Sequence, residues 1–211
     1  MDFLMNKNVL IMGFLIMMVG GCAGTTAKND KKEGDRAYYE GKYEEALSYY
    51  QKALTYDPKD TELRRIKATI LSIQKKYPES TALFQELIQE DTNDIQSRLG
   101  LAYIYFLSNY TKAEKEYLEI LKIDNENYAA REQLGWIYYY GKKYIKAKEY
   151  FSGLQNDYPR SVSPQLALGW IAMAELKWKE AYEQFTTLQE NFPENIEAKK
   201  ALEVIHKNYK P

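Results

Sequence analysis

The sequence has few of the residue types on which reactive and metal-binding sites depend. Its 211 residues include one cysteine and one histidine, which excludes an internal disulfide and leaves little material for a zinc site or a histidine-based triad. The 29 basic and 30 acidic side chains give a net charge of −1, so a concentrated basic surface for nucleic acid is not expected. There is no glycine-rich phosphate loop and no nucleophile motif. We therefore predict a protein that is not an enzyme and has no cofactor, metal, small-molecule substrate or nucleic-acid partner.

The sequence also lacks an apolar run long enough to cross a bilayer. Its longest run, from Val9 to Val19, has eleven residues, whereas a membrane-spanning helix needs about 20. A run of this length is typical of the central region of a secretory signal peptide. The small, polar residues 23–32 that follow it read as a tether.

The end of this run, Val19-Gly20-Gly21-Cys22, resembles the lipobox of bacterial lipoproteins. That resemblance implies removal of residues 1–21 and a lipid on Cys22, the sole cysteine. An uncleaved membrane anchor, or an ordinary signal peptide in which Cys22 is incidental, are the alternatives. In the enteric sorting rule an Asp after the cysteine retains a lipoprotein at the inner membrane. Ala23 therefore favours the outer membrane, facing the periplasm.

The chain is rich in tyrosine, with 20 residues. It also contains a sequence motif that recurs. "GKYEEALSYYQKALTYDPKD" at residue 41 returns in variants at 75, 108, 142 and 176. Each copy has a small residue, an aromatic residue four positions later and an apolar residue three further on, a spacing that places all three on one stripe of a helix. The small residues are Ala46, Ser80, Ala113, Ala147 and Ala181, and the aromatic residues are Tyr50, Phe84, Tyr117, Phe151 and Phe185.

A second helix precedes each copy, with a Leu-Gly pair in "RLGLAYIY" at 98, "QLGWIYYY" at 133 and "LALGWIAM" at 166. Together the two helices resemble the tetratricopeptide repeat, a unit of 34 residues. The resemblance implies an all-α fold, a right-handed superhelix (α-solenoid) of about five helix pairs. It places the repeats within 33–195, at about 27–60, 61–92, 93–127, 128–161 and 162–195, and residues 196–211 form a capping helix.

Two departures from the family pattern lead to further expectations. Asp30 and Glu33 stand where apolar residues are usual, so the first helix is expected to fray. From Leu99 to Tyr110 the third repeat is one residue longer than the fourth from Leu134 to Tyr144, which predicts an extra residue in the turn.

In the resembled family the first helices line a concave groove that holds a peptide or a partner helix. Matched position by position, the resemblance implies an aromatic groove centred on repeats four and five, because aromatic residues are favoured at interfaces. The alternative is that these rings only complete the packing between repeats. The family's Lys/Asn/Arg clamp for a terminal carboxylate is absent. The groove residues are Tyr38, Tyr39, Ile73, Leu101, Tyr105, Trp136, Tyr139, Tyr140, Trp170 and Met173.

These features predict a lipid-anchored scaffold of the bacterial envelope that binds protein or peptide segments and promotes assembly of a membrane complex. Its layout is similar to that of the lipoproteins of this repeat family that act in type IV pilus and secretin biogenesis. The alternative is an adaptor that recruits cell-wall or outer-membrane assembly enzymes.

Overall fold

The computed structural model describes residues 25–209, and Cys22 and the predicted signal peptide lie outside the described residues. Over the described part the chain is helical without strands. Residues 25–32, which we predicted to be part of a tether, belong to the first helix, so the tether prediction is wrong for them. The helices are α1 (residues 25–39), α2 (Tyr43–Tyr56), α3 (Thr61–Ile73), α4 (Tyr77–Glu90), α5 (Ile95–Phe106), α6 (Tyr110–Ile123), α7 (Tyr128–Tyr140), α8 (Tyr144–Asp157), α9 (Val162–Ala174), α10 (Trp178–Asn191) and α11 (Ile196–Asn208).

The helices follow one another as pairs, and we call the first helix of each pair its A helix and the second its B helix. The chain divides after Gly100, inside α5, into two compact units. Unit 1 contains α1 to α4 and the start of α5. Unit 2 contains the rest of α5, the helices α6 to α10 and α11, the predicted capping helix. The predicted boundaries between successive repeats fall between a B helix and the next A helix, whereas the predicted start of the first repeat, at about residue 27, lies inside α1.

The loops between pairs are specified by short polar side chains. In the loop "DPKD" the Asp57 carboxylate accepts the Lys59 amide at 3.1 Å, and Asp60 then caps α3 by accepting the Leu63 amide at 2.9 Å. Asn127 and Asn195 cap α7 and α11 in the same way. Such caps satisfy amides that the first turn of a helix leaves unpaired.

The core is built from the stripe that the repeat predicted. The small residues of the five B helices and the aromatic residues four positions later are all buried. Gly34, Gly135 and Gly169 of the A helices lie against the rings of Tyr50, Phe151 and Phe185, where an added Cβ would stand within 2.8 Å of a ring carbon. Glycine at these positions lets the A and B helices of a pair approach closely, so its role in packing is confirmed.

Candidate functional site

The third repeat is one residue short, which corrects the extra residue that we predicted. The helix caps Asp60, Asp94 and Asn127 each lie eight residues before a buried small residue, namely Ala68, Ala102 and Gly135. Ala102, and not Gly100, is therefore equivalent to Gly135. Its helix α5 has 12 residues, while α3, α7 and α9 have 13.

The turn after α5 differs from the others for the same reason. Between their A and B helices the other four pairs have a residue with a positive φ, namely Gly41, Lys75, Lys142 and Leu176, and none of the described residues at the third turn does. Instead the Asn109 side chain caps α6 by accepting the Lys112 amide at 3.0 Å. The missing residue is thus taken from the end of α5.

This register corrects two of the predicted groove residues. Leu101 is only 3% exposed and is equivalent to the core residue Leu134, so it cannot contact a partner. Tyr105 is equivalent to Tyr138 and lies beneath the Lys112 ammonium, 5.3 Å from the ring centroid. The residue equivalent to Trp136 is Tyr103, which is 55% exposed. Counting 34 residues forward from Thr69 would have identified Tyr103.

In unit 2 the two predicted tryptophans cover the core of their own helix pairs. Trp136 stands edge-on to Phe151 with ring centroids 5.0 Å apart, and Trp170 stands edge-on to Phe185 at 5.2 Å. Both indoles are half-buried. One face of each ring completes the core, as the packing alternative anticipated, and the remaining surface is open to solvent.

Around Trp136 the rings join into a continuous aromatic surface. Tyr140 stacks on Tyr110 with centroids 6.0 Å apart and planes 13° apart, and it also stacks on Trp136 at 6.1 Å. Tyr140 is 53% exposed, while burial, followed by the neighbouring Tyr144 and Tyr140, raises the pKa of Tyr139. These rings are uncharged and contact one another, so together they form an apolar surface with tyrosine hydroxyl groups at its edges. We name this set the aromatic surface; it consists of Phe106, Tyr110, Trp136, Tyr139, Tyr140 and Tyr144.

In unit 1 the position equivalent to Trp136 is polar, whereas the positions equivalent to Tyr139, Tyr140 and Tyr144 are again tyrosines, namely Tyr38, Tyr39 and Tyr43. Asp35 stands where Trp136 stands in the fourth repeat, and it accepts a hydrogen bond of 2.8 Å from the Tyr50 hydroxyl. The Lys31 ammonium lies 3.3 Å from Asp35 and 3.4 Å from Glu62. These side chains line a cavity of about 300 Å³ with the predicted groove residues Tyr38 and Tyr39. The groove was predicted to prefer apolar segments, and unit 1 departs from that expectation.

The other predicted residues have different surroundings. Ile73 is exposed at the end of α3, and Met173 is half-buried against the core of the fifth pair. Cys22 lies outside the described residues. Within residues 25–209 no group of His, Cys, Asp or Glu could hold a metal ion, and none of the helices described there has the length and apolarity needed to span a bilayer.

Comparison with protein families identifies the repeats. Two family models, both described as tetratricopeptide repeat, match residues 31–95 and 129–161. Among curated proteins, the Hsp70-Hsp90 organising protein of Plasmodium falciparum is 34% identical over 110 residues, which are 51% of this chain and 43% of that protein. The chain therefore spans less than half the length of that relative.

Solved structures with the same fold have low sequence identity to this chain. A tetratricopeptide repeat protein from Parabacteroides merdae superposes with a TM-score of 0.76 at 18% identity, over 87% of this chain and 73% of that one. PilW, described as a widely conserved type IV pilus biogenesis factor, superposes with a TM-score of 0.73 at 19% identity, over 96% and 100% of the two chains. At this identity the likeness establishes the fold.

Proposed function

Because the chain carries tetratricopeptide repeats, we propose that it is a lipid-anchored envelope scaffold that holds protein segments and so promotes assembly of a membrane complex. The observation that carries the proposal is the aromatic surface of unit 2. Stacked, part-exposed tyrosine and tryptophan rings offer large contact area at low entropic cost, as at the centres of protein interfaces. We propose that an extended segment or helix of the partner covers Tyr140 and Trp136.

A pilus or secretin complex is the assembly that we favour. The support is the similarity of layout and the fold shared with PilW over nearly the full length of both chains. The competing function is an adaptor that recruits cell-wall or outer-membrane assembly enzymes, which the same surface would serve.

The anchoring part of the proposal rests on Val19-Gly20-Gly21-Cys22. Two or three acyl chains would hold the protein durably, since each buried methylene contributes about 0.8 kcal/mol. We place the protein at the outer membrane facing the periplasm, because Ala23 follows the cysteine. Metabolic labelling with a fatty-acid analogue tests the anchor: a Cys22→Ser variant should lose the label, and equal labelling would refute lipidation.

A photocrosslinking amino acid at Tyr140 tests the binding surface in cells. The matched control is the same substitution at Tyr158, which is also exposed in unit 2 but contacts Tyr128 and lies outside the aromatic surface. We expect a specific adduct from position 140 alone. The trapped protein, identified by mass spectrometry, distinguishes a secretin or pilus subunit from an enzyme of envelope assembly.

A double variant, Trp136→Ala with Trp170→Ala, provides the second test. If it remains helical and still captures the same partner with unchanged affinity, the aromatic surface is not the binding site.

A further inference from the structure

Two aliphatic side chains protrude from neighbouring turns of unit 2. Ile145, at the second residue of α8, is 77% exposed, and Leu176, in the turn before α10, is 69% exposed. The positions equivalent to Ile145 in the other repeats are Glu44, Pro78, Thr111 and Lys179, and those equivalent to Leu176 are Gly41, Lys75 and Lys142. Large aliphatic residues thus occupy these two positions in the fourth and fifth repeats only, although the third turn has an exposed leucine, Leu107, one position earlier. Packing does not account for Ile145 and Leu176.

The backbone at Leu176 makes its presence more unusual. Its φ is +60°, in the left-handed region that disfavours residues with a Cβ. The first repeat has glycine there, and the exposed leucine gains no core contact in return. Lys75 and Lys142 have the same conformation at the equivalent turns, so what distinguishes Leu176 is an apolar side chain that is exposed there.

The charges beside these side chains are mainly positive. Lys142, Lys143 and Lys146 form no ion pair with any carboxylate of the described residues. The ammoniums of Lys143 and Lys146 lie 5.7 and 5.2 Å from the Tyr138 ring centroid. The adjacent carboxylate, Glu175, is neutralised by Lys177 at 2.7 Å. These lysines and Ile145 line an open groove of about 510 Å³ with a net positive charge.

We propose that this basic turn patch, defined as Lys142, Lys143, Ile145, Lys146 and Leu176, docks on an anionic phospholipid surface. The lysines would pair with the headgroups, while Ile145 and Leu176 enter the boundary of the acyl chains. Lipid fits better than an acidic protein segment because both aliphatic side chains project outward, whereas a protein pocket would recess them. The inference builds on the proposed lipid anchor, which would hold the patch at high effective concentration near such a surface.

Lysine footprinting on vesicles tests the proposal with the full chain. The chain is added to phosphatidylcholine vesicles, or to vesicles of phosphatidylcholine and phosphatidylglycerol at about 3:1, and lysine acetylation is read by mass spectrometry. Anionic vesicles should protect Lys142, Lys143 and Lys146 and leave the exposed Lys199 and Lys200 of the capping helix unprotected. Each lysine near an anionic surface contributes about a fivefold preference, and salt should weaken the protection.

Two variants complete the experiment. Ile145→Asn with Leu176→Asn should reduce the protection of Lys142, Lys143 and Lys146, whereas Lys199→Glu with Lys200→Glu should leave it unchanged. Equal acetylation on anionic and neutral vesicles would overturn the proposal, as would protection found only in whole envelopes and removed by protease, which would indicate a protein partner. Sedimentation with neutral vesicles reports on the anchor separately, so failure of the anchor and failure of the patch are distinguishable.

Discussion

The buried hydroxyl of Tyr50 donates a 2.8 Å hydrogen bond to Asp35, at the positions where Phe151 packs against Trp136 in the fourth repeat. One geometric relationship between an A helix and a B helix is therefore polar in unit 1 and aromatic in unit 2. The fold accommodates both arrangements, because the buried Tyr50 hydroxyl has a hydrogen-bond partner in Asp35 and the Phe151 ring packs against Trp136. The surface chemistry therefore differs at this position, while the neighbouring tyrosines Tyr38 and Tyr39 match Tyr139 and Tyr140.

We expect Tyr50→Phe to make stability less sensitive to alkali. Burial, and then the bond to Asp35, raise the pKa of Tyr50 in the folded protein. The unfolded chain ionises first, so this stabilisation is complete below about pH 10 and is lost as the pH rises above it. The variant should lose about 1 kcal/mol at pH 7 and show a shallower decline above pH 10.

Urea unfolding at pH 7 and pH 11 measures both effects. Tyr49→Phe, one residue away and without a hydrogen bond to Asp35, is the control. If the free energy of unfolding falls equally between pH 7 and pH 11 in the wild type and in Tyr50→Phe, the Tyr50 phenol does not contribute to the loss of stability in alkali.

Gly135→Ala should destabilise the protein although alanine is the better helix former. Its Cβ would lie 2.7 Å from the end of the fully buried Phe151 ring. Overpacking costs typically about 1–3 kcal/mol, against a gain of about 1 kcal/mol in helix propensity, so we expect a net loss of up to about 2 kcal/mol. Thermal or chemical unfolding measures this loss.

Gly153→Ala is the matched control for that substitution. Its Cβ would meet only the guanidinium of Arg131, at 2.8 Å, which is the far end of a flexible side chain that pairs with Asp157. We expect it to be neutral or to stabilise by up to about 1 kcal/mol. Equal losses at both positions would contradict the close contact between α7 and α8.

Asn109→Ala should destabilise the third pair more than a comparable change at another turn. Asn109 caps α6 with its side chain, whereas Lys76 occupies the same position before α4 without a side-chain bond. Loss of such a cap costs about 1 kcal/mol, and Lys76→Ala should cost close to nothing. Hydrogen exchange at the first turn of α6 should rise in Asn109→Ala, and unchanged protection there would refute the role of the cap.

Leu176→Gly should stabilise the fold and weaken the proposed contact with anionic membranes. Glycine relieves the left-handed strain of about 1–2 kcal/mol but adds freedom to the unfolded chain, so we expect a net gain of about 0.5 kcal/mol. Gly41→Ala at the equivalent turn should have the opposite sign. Urea unfolding measures stability, and lysine footprinting on anionic vesicles measures contact; a variant that retains full protection would remove Leu176 from the patch.

The helical stripe and the pairing of helices could be predicted from the sequence because small and aromatic residues recur at a fixed spacing. The register of α5 was not predicted correctly, because Leu99-Gly100 has the same residue types as Leu134-Gly135 but lies two residues before the equivalent pair, Leu101-Ala102. Nor did composition indicate that residues 25–32 are helical. These polar residues belong to α1, and Lys31 of this helix forms an ion pair with Glu62 of α3. A contact between residues so far apart in the sequence cannot be predicted from a local pattern.

The short third repeat has a practical meaning for engineering. A module exchanged into this place from another repeat would bring a thirty-fourth residue with it. The helix α5 would then extend one residue beyond Phe106, and the chain would leave it in a direction turned by about 100° around the helix axis. The contacts of Tyr110 with Phe106 and Tyr140 would be disturbed. Chimeras that keep 33 residues here should preserve the aromatic surface, so repeat length at this point determines how its rings are arranged.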